Sequence, residues 1–120
     1  MTSRSGTSGS GTPRTAEIRL TVDLDADNVA TRIQWEAAEA PDGGPAACQS
    51  MMLSVWDGGK KATAAIDLWT RDMTIEDMNV FFYQVLHKMA DTYVRATKNE
   101  SMAQAIHEFG NRFGDGLGLR

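Results

Sequence analysis

The sequence has 120 residues, 42% of them hydrophobic and 23% charged, with a formal net charge of −4 and a pI near 5.0. That is enough chain for one domain with a real core, and the composition excludes disorder throughout. The acidic balance argues against nucleic acid and anionic lipid as partners, because both require a basic footprint.

Residues 1–14 are Ser, Thr and Gly with two Arg and one Pro, and cannot bury apolar surface. They read as a disordered tail. The opening Met1-Thr2-Ser3-Arg4 leads into Gly and Ser instead of an apolar signal core, and no apolar run is long enough for a bilayer. The expectation is a cytoplasmic protein.

Strand signals begin after the tail. Ile18, Leu20, Val22 and Leu24 alternate with polar residues, and Val29, Thr31, Ile33 and Trp35 alternate with Ala30, Arg32, Gln34 and Glu36. Period-two alternation is the signature of half-buried strands. Asp25-Ala26-Asp27-Asn28 between them is turn chemistry, so the two runs predict a hairpin. Residues 37–47, rich in Ala, Pro and Gly, predict a loop. Cys48, the single cysteine, has no internal disulfide partner and reads as a small reduced core residue.

A second hairpin is expected from the runs 49–56 and 61–70 around Asp57-Gly58-Gly59-Lys60. A two-residue turn at Gly58-Gly59 pairs Leu53 with Ala64 and Met51 with Ile66. Met51, Leu53 and Val55 then share an apolar face with Ala62, Ala64, Ile66 and Leu68. The other face carries Met52, Trp56, Ala65 and Trp69 among Ser, Thr and Asp. That face is too apolar for one that only meets water, which makes Met52, Trp56 and Trp69 candidate interface residues.

The first helix is announced by Thr74 and Asp77 as a capping box, with Met73 and Met78 placed for a hydrophobic staple. Ile75, Met78, Phe82, Val85, Met89 and Ala96 recur at helical spacing and read as its core face. Val80, Tyr83, His87 and Val94 form a second, narrower stripe, and are added to the candidate interface. Thr97-Lys98-Asn99-Glu100 resembles another capping box, opening a second helix to about Phe113 with Met102, Ala105, Ile106, Phe109 and Phe113 on one face. Residues 115–120 read as a frayed end.

The whole predicts a single α+β domain over residues 15–114. Its expected architecture is a four-stranded antiparallel sheet, made of two hairpins, followed by two antiparallel helices packed on one face.

Chemistry is hard to find. A nucleophile needs an activating base held by a third group. His87 and His107 both fall within helices, where His87 can pair with Asp91 and His107 lies beside Glu108 on a polar side. There is no G-x-S-x-G elbow, no H-E-x-x-H, no paired C-x-x-C and no glycine-rich strand-to-helix turn for phosphate. Asp57 belongs to a turn and Asp67 to a strand. The sequence therefore predicts no enzyme: no catalytic residue, no metal site and no cofactor.

One resemblance adds to this reading. Met51-Met52-Leu53-Ser54-Val55-Trp56-Asp57 is followed by Asp67-Leu68-Trp69-Thr70-Arg71-Asp72-Met73, then by Ile75-Glu76-Asp77-Met78 opening the helix. This order resembles the GldC family of gliding-motility proteins, whose pattern reads MLSLWD, then DLWTKDM, then an acidic-Met helix start. Ile33-Gln34-Trp35-Glu36-Ala37 and Met89-Ala90-Asp91-Thr92 are similar as well, so the resemblance runs colinearly over roughly residues 15–113. The departures are the Ser/Gly tail, the Pro/Gly loop at 40–45 and Arg71 where Lys is usual. What the resemblance implies is an accessory role in gliding motility. Its expected partners are proteins of the gliding and secretion machinery. Separately, the surplus sheet face and helix stripe predict a homo-oligomer, and the lack of a long apolar run predicts no membrane insertion.

Four strands followed by two helices is also similar to the SecB export chaperone, which implies a cytoplasmic holdase as the alternative. That is analogy of fold order alone. A third reading, a small-ligand binder, requires an enclosed pocket with convergent polar groups.

Overall fold

The computed structural model describes residues 11–38 and 44–120. Most of the expected tail, residues 1–10, and residues 39–43 of the expected loop lie outside the described residues. The chain divides into two compact units, one ending at Thr70 and the next beginning at Arg71. No boundary inside 15–114 is expected from the sequence.

The first unit is all β. Strand β1 (Ile18–Leu24) pairs antiparallel with β2 (Ala30–Ala37), and the turn between them is the one the sequence predicts. Asp25 Oδ1 accepts the backbone N–H groups of Asp27 and Val29, and Asn28 takes the left-handed conformation that Asn tolerates (φ 63°). The pairing Leu20↔Trp35 and Val22↔Ile33 gathers the apolar residues on one face. Ile33 is fully buried, with 0% of its surface exposed. On the other face Arg19 lies opposite Glu36 and bonds it at 3.2 Å.

A three-residue strand, β3 (Ala46–Cys48), emerges from the end of the predicted loop and pairs with the free edge of β2, Cys48 opposite Ile33. Burial pushes the Cys48 thiol up, opposed by a backbone hydrogen bond at Ser50. Strands β4 (Ser50–Asp57) and β5 (Ala62–Trp69) then pair with one another.

The strands thus form two antiparallel sheets, ordered β1-β2-β3 and β4-β5, in place of the expected single four-stranded sheet. The physical reason is edge occupancy. Residues 46–48 take the edge of β2 that a second hairpin would need. Gln49 then separates β3 from β4, its carbonyl accepting the Thr70 N–H at 2.9 Å. Thr70 is buried there.

The β4–β5 register also differs from expectation. Leu53 faces Ile66 and Met51 faces Leu68, two residues beyond the predicted partners. The loop holds four residues, not two. Asp57 Oδ1 accepts the N–H groups of Gly59 and Lys60, and Lys61 closes the loop in the left-handed region (φ 54°). A shift of two preserves which face each side chain takes, because the strand period is two.

The second unit is a helical hairpin. Helix α1 (Ile75–Thr97) is capped by Thr74, whose hydroxyl accepts the Asp77 N–H at 3.0 Å, and acidic Glu76 and Asp77 suit the positive end of the helix dipole. It ends at Lys98 in the left-handed conformation, whose N–H returns to the Val94 carbonyl. Helix α2 (Glu100–Gly116) is capped by Asn99, not by Thr97 as the sequence suggests. Asn99 Oδ1 accepts the Met102 N–H, while Thr97 is the last residue of α1 and donates back to the Tyr93 carbonyl. A residue held in one helix cannot also take the extended conformation of the next cap.

Small residues set the α1–α2 seam. Ala90, Ala103, Gly110 and Gly114 are all buried. A Cβ added at Gly114 would stand 2.6 Å from a ring carbon of Tyr83, and one at Gly110 would stand 3.0 Å from His87 Nε2. Both glycines make room for a ring from α1. Where the sequence predicts a frayed end at 115–120, α2 continues to Gly116 and Leu119 N–H donates to the Gly114 carbonyl at 2.8 Å.

Candidate functional site

The β4–β5 register puts Met52, Trp56 and Trp69 on one face of their ribbon, opposite Asp67, Thr63 and Ser50 respectively. Trp56 is 63% exposed and Trp69 56% exposed, and Met52 is exposed as well. Met52 lies diagonal to Trp69, within reach of a large ring. Trp56 stands at the turn end, about 20 Å along the strand from Trp69. The surface is therefore a strip along the ribbon with an aromatic side chain at each end. The opposite face, expected as core, leaves Leu53, Val55 and Ile66 exposed too.

The α1 candidates divide. Val80 is exposed and Val94 half-buried. Tyr83 and His87 turn toward α2, packing on Gly114 and Gly110, and meet each other edge to face at 5.1 Å between ring centres. Their stripe includes Ala90, so part of what reads as a surplus surface is the seam of the helix pair.

At the edge of that seam three polar side chains meet. His87 Nδ1 and His107 Nδ1 are 2.6 Å apart, with the rings stacked at 4.9 Å. His107 Nε2 lies 3.4 Å from Asp91 Oδ1. The carboxylate one turn from His87 in sequence thus serves His107 instead. Only one Nδ1–H can occupy the space between the rings, so one imidazole donates and the other accepts. Nothing in the sequence links positions 87 and 107, because their contact arises only when the helices fold back on one another.

Other features offer less. A shallow depression bounded by Glu17, Arg19, Glu36, Ala37 and Ala38 is spanned by Arg19, which pairs with both Glu17 and Glu36 at 3.2 Å. Among the described residues no group of three or more His, Cys, Asp or Glu is placed to hold a metal ion. No helix among them is long and apolar enough to cross a membrane.

Comparison with protein families matches residues 30–118 to the family described as gliding motility-associated protein GldC-like. No curated protein and no solved structure matches the chain.

Proposed function

The chain belongs to the GldC-like family of gliding motility-associated proteins, and from that premise we propose that it is a non-enzymatic accessory protein of gliding, acting from the cytoplasmic side through protein–protein contacts. The family match carries this reading. It begins at the first residue of β2 and ends beyond the C-terminus of α2, so it draws on both units. The strip of Met52, Trp56 and Trp69 supports a binding role, since exposed aromatic side chains are the usual anchors of interfaces. The partner is a folded component of the gliding or secretion machinery, engaged in fixed stoichiometry.

The test is genetic. Deleting the gene in a gliding host should impair surface spreading while growth stays near normal. A copy carrying Trp56→Lys and Trp69→Lys should accumulate as folded protein and fail to restore spreading. Normal spreading in the deletion strain would remove the motility role, and full rescue by the double variant would remove the strip as its binding surface.

Exposure of apolar side chains on both faces of the β4–β5 ribbon favours one second reading, a holdase for unfolded chains. Suppression of a denatured client's aggregation at stoichiometric protein would place that reading first.

A further inference from the structure

Among the described residues, the outer edge of β1 has no strand beside it. The three-stranded sheet runs β1-β2-β3, so one side of β1 meets β2 and the other presents backbone N–H and C=O groups. Such an edge is a template for a further strand, and edges kept free are blunted by proline, a bulge or an inward-pointing charge. Strand β1 has no proline, and its one irregularity lies at the end, between Asp23 and Leu24. Its apolar side, Ile18, Leu20, Val22 and Leu24, carries no charge, and Ile18 is 77% exposed.

The strand is its own complement. Antiparallel pairing of β1 with itself about Thr21 sets Arg19 opposite Asp23, Leu20 opposite Val22 and Ile18 opposite Leu24, each of them twice. Opposed side chains share a face, so apolar meets apolar and each charge meets its opposite. The two-fold centre must fall on a residue, because the groups along an edge point outward at every second position. Centring on Leu20 or Val22 instead pairs fewer residues and leaves Asp23 facing Glu17 or Thr21. Thr21 alone pairs the whole strand and both charges.

The charges continue into the sheet on either side. Arg19 lies opposite Glu36 and bonds it at 3.2 Å, while Asp23 lies opposite Arg32. Joined about Thr21, the polar face carries the row Glu36, Arg19, Asp23, Arg32 across the junction, alternating in sign. A guanidinium has donors enough for a carboxylate on each side. One step past the strand ends Glu17 comes opposite Asp25, a like-charged pair. Arg19 holds the first of these at 3.2 Å, and the second accepts the N–H groups of Asp27 and Val29. Strands β4 and β5 carry one charged residue each, Asp57 and Asp67, so neither can match opposite charges against itself.

We propose that the β1 edge is covered by β1 of a second copy, joining the two three-stranded sheets into one about a two-fold axis at Thr21. The paired segment is about 24 Å long. This assembly goes beyond the motility reading and does not rest on it.

Sedimentation of the full chain tests it. The wild type should run at twice the 13.1 kDa chain mass at micromolar concentration. Arg19→Asp sets acid against acid twice in a self-pair, and Asp23→Arg sets base against base. Each variant alone should dimerise at least about tenfold more weakly than the wild type, and an equal mixture of the two should associate to within about threefold of it. Each variant then supplies the charge that the other lacks. Lys60→Glu, in the β4–β5 loop, should leave the mass unchanged. A second readout keeps all the charges in place. The Cα atoms of opposed residues stand about 4.5–5.5 Å apart, within disulfide reach, so Thr21→Cys/Cys48→Ser should crosslink to itself under mild oxidation. A wild type that stays monomeric at high micromolar concentration overturns the proposal and leaves the edge to a strand of another protein. A dimer that both charge variants retain, or that the Thr21→Cys/Cys48→Ser chain cannot crosslink, overturns this interface.

Discussion

At the scale of single residues, the His87–His107 contact is the most consequential detail. The bond needs one Nδ1–H and one bare Nδ1, so one ring donates and the other accepts. Asp91 faces His107 Nε2, while Tyr83 presents a ring edge to His87. His107→Phe removes the bond and should cost the second unit about 0.5–1.5 kcal/mol, the net worth of one hydrogen bond. Thermal melts of wild type and variant at a single pH check this, and an unchanged melting temperature would remove the contact as a source of stability.

At the scale of elements, boundaries follow from whichever local bonds win. Thr97 looks like a cap from its spacing to Glu100, yet its hydroxyl serves Tyr93 and Asn99 from the last turn of α1. Asn99 then caps α2 with its own side chain. Asn99→Ala should therefore cost about 0.5–2 kcal/mol of stability. Thr97→Ala, which removes no cap from α2, should cost less. Urea denaturation of the two variants decides the order. The hairpins show the same competition. Asp57 bonds two successive amides and lengthens the β4–β5 loop to four residues, overriding the two-residue turn that Gly58-Gly59 suggests. The apolar pattern survives because the resulting register shift is even.

At the scale of the whole molecule, apolar residues are distributed unevenly between what is buried and what is presented. Ile33 lies at the centre of the three-stranded sheet with no exposed surface, whereas Trp69 at the end of β5 is more than half exposed. Ile33→Ala should cost about 2–5 kcal/mol, through lost burial and the cavity left behind. Trp69→Lys should cost about 1 kcal/mol or less, as surface changes do. Denaturant melts of both variants provide the comparison, and a Trp69 variant as unstable as the Ile33 variant would make that tryptophan core. The membership of the GldC-like family and the exposed strip on the β4–β5 ribbon both belong to this scale.

Patterns contained within one element are legible in the amino-acid sequence by itself. The alternation in β1, β2, β4 and β5, the apolar stripes of both helices, the Thr74 cap and the family motif each depend on neighbours a few residues apart. That Met52, Trp56 and Trp69 share one face is legible for the same reason, because side-chain direction in a strand follows from period two alone. What only the tertiary structure decided involves residues distant in sequence. The three-residue strand β3 has no pattern of its own and exists because β2 offers it an edge. Gly110 and Gly114 look like helix breakers until Tyr83 and His87 arrive from α1 to need the space. His87 and Asp91 sit one turn apart on α1, yet His107 engages both. Short-range stereochemistry chooses the elements, but the closing of the helical hairpin and the filling of a sheet edge are long-range events that local patterns do not encode.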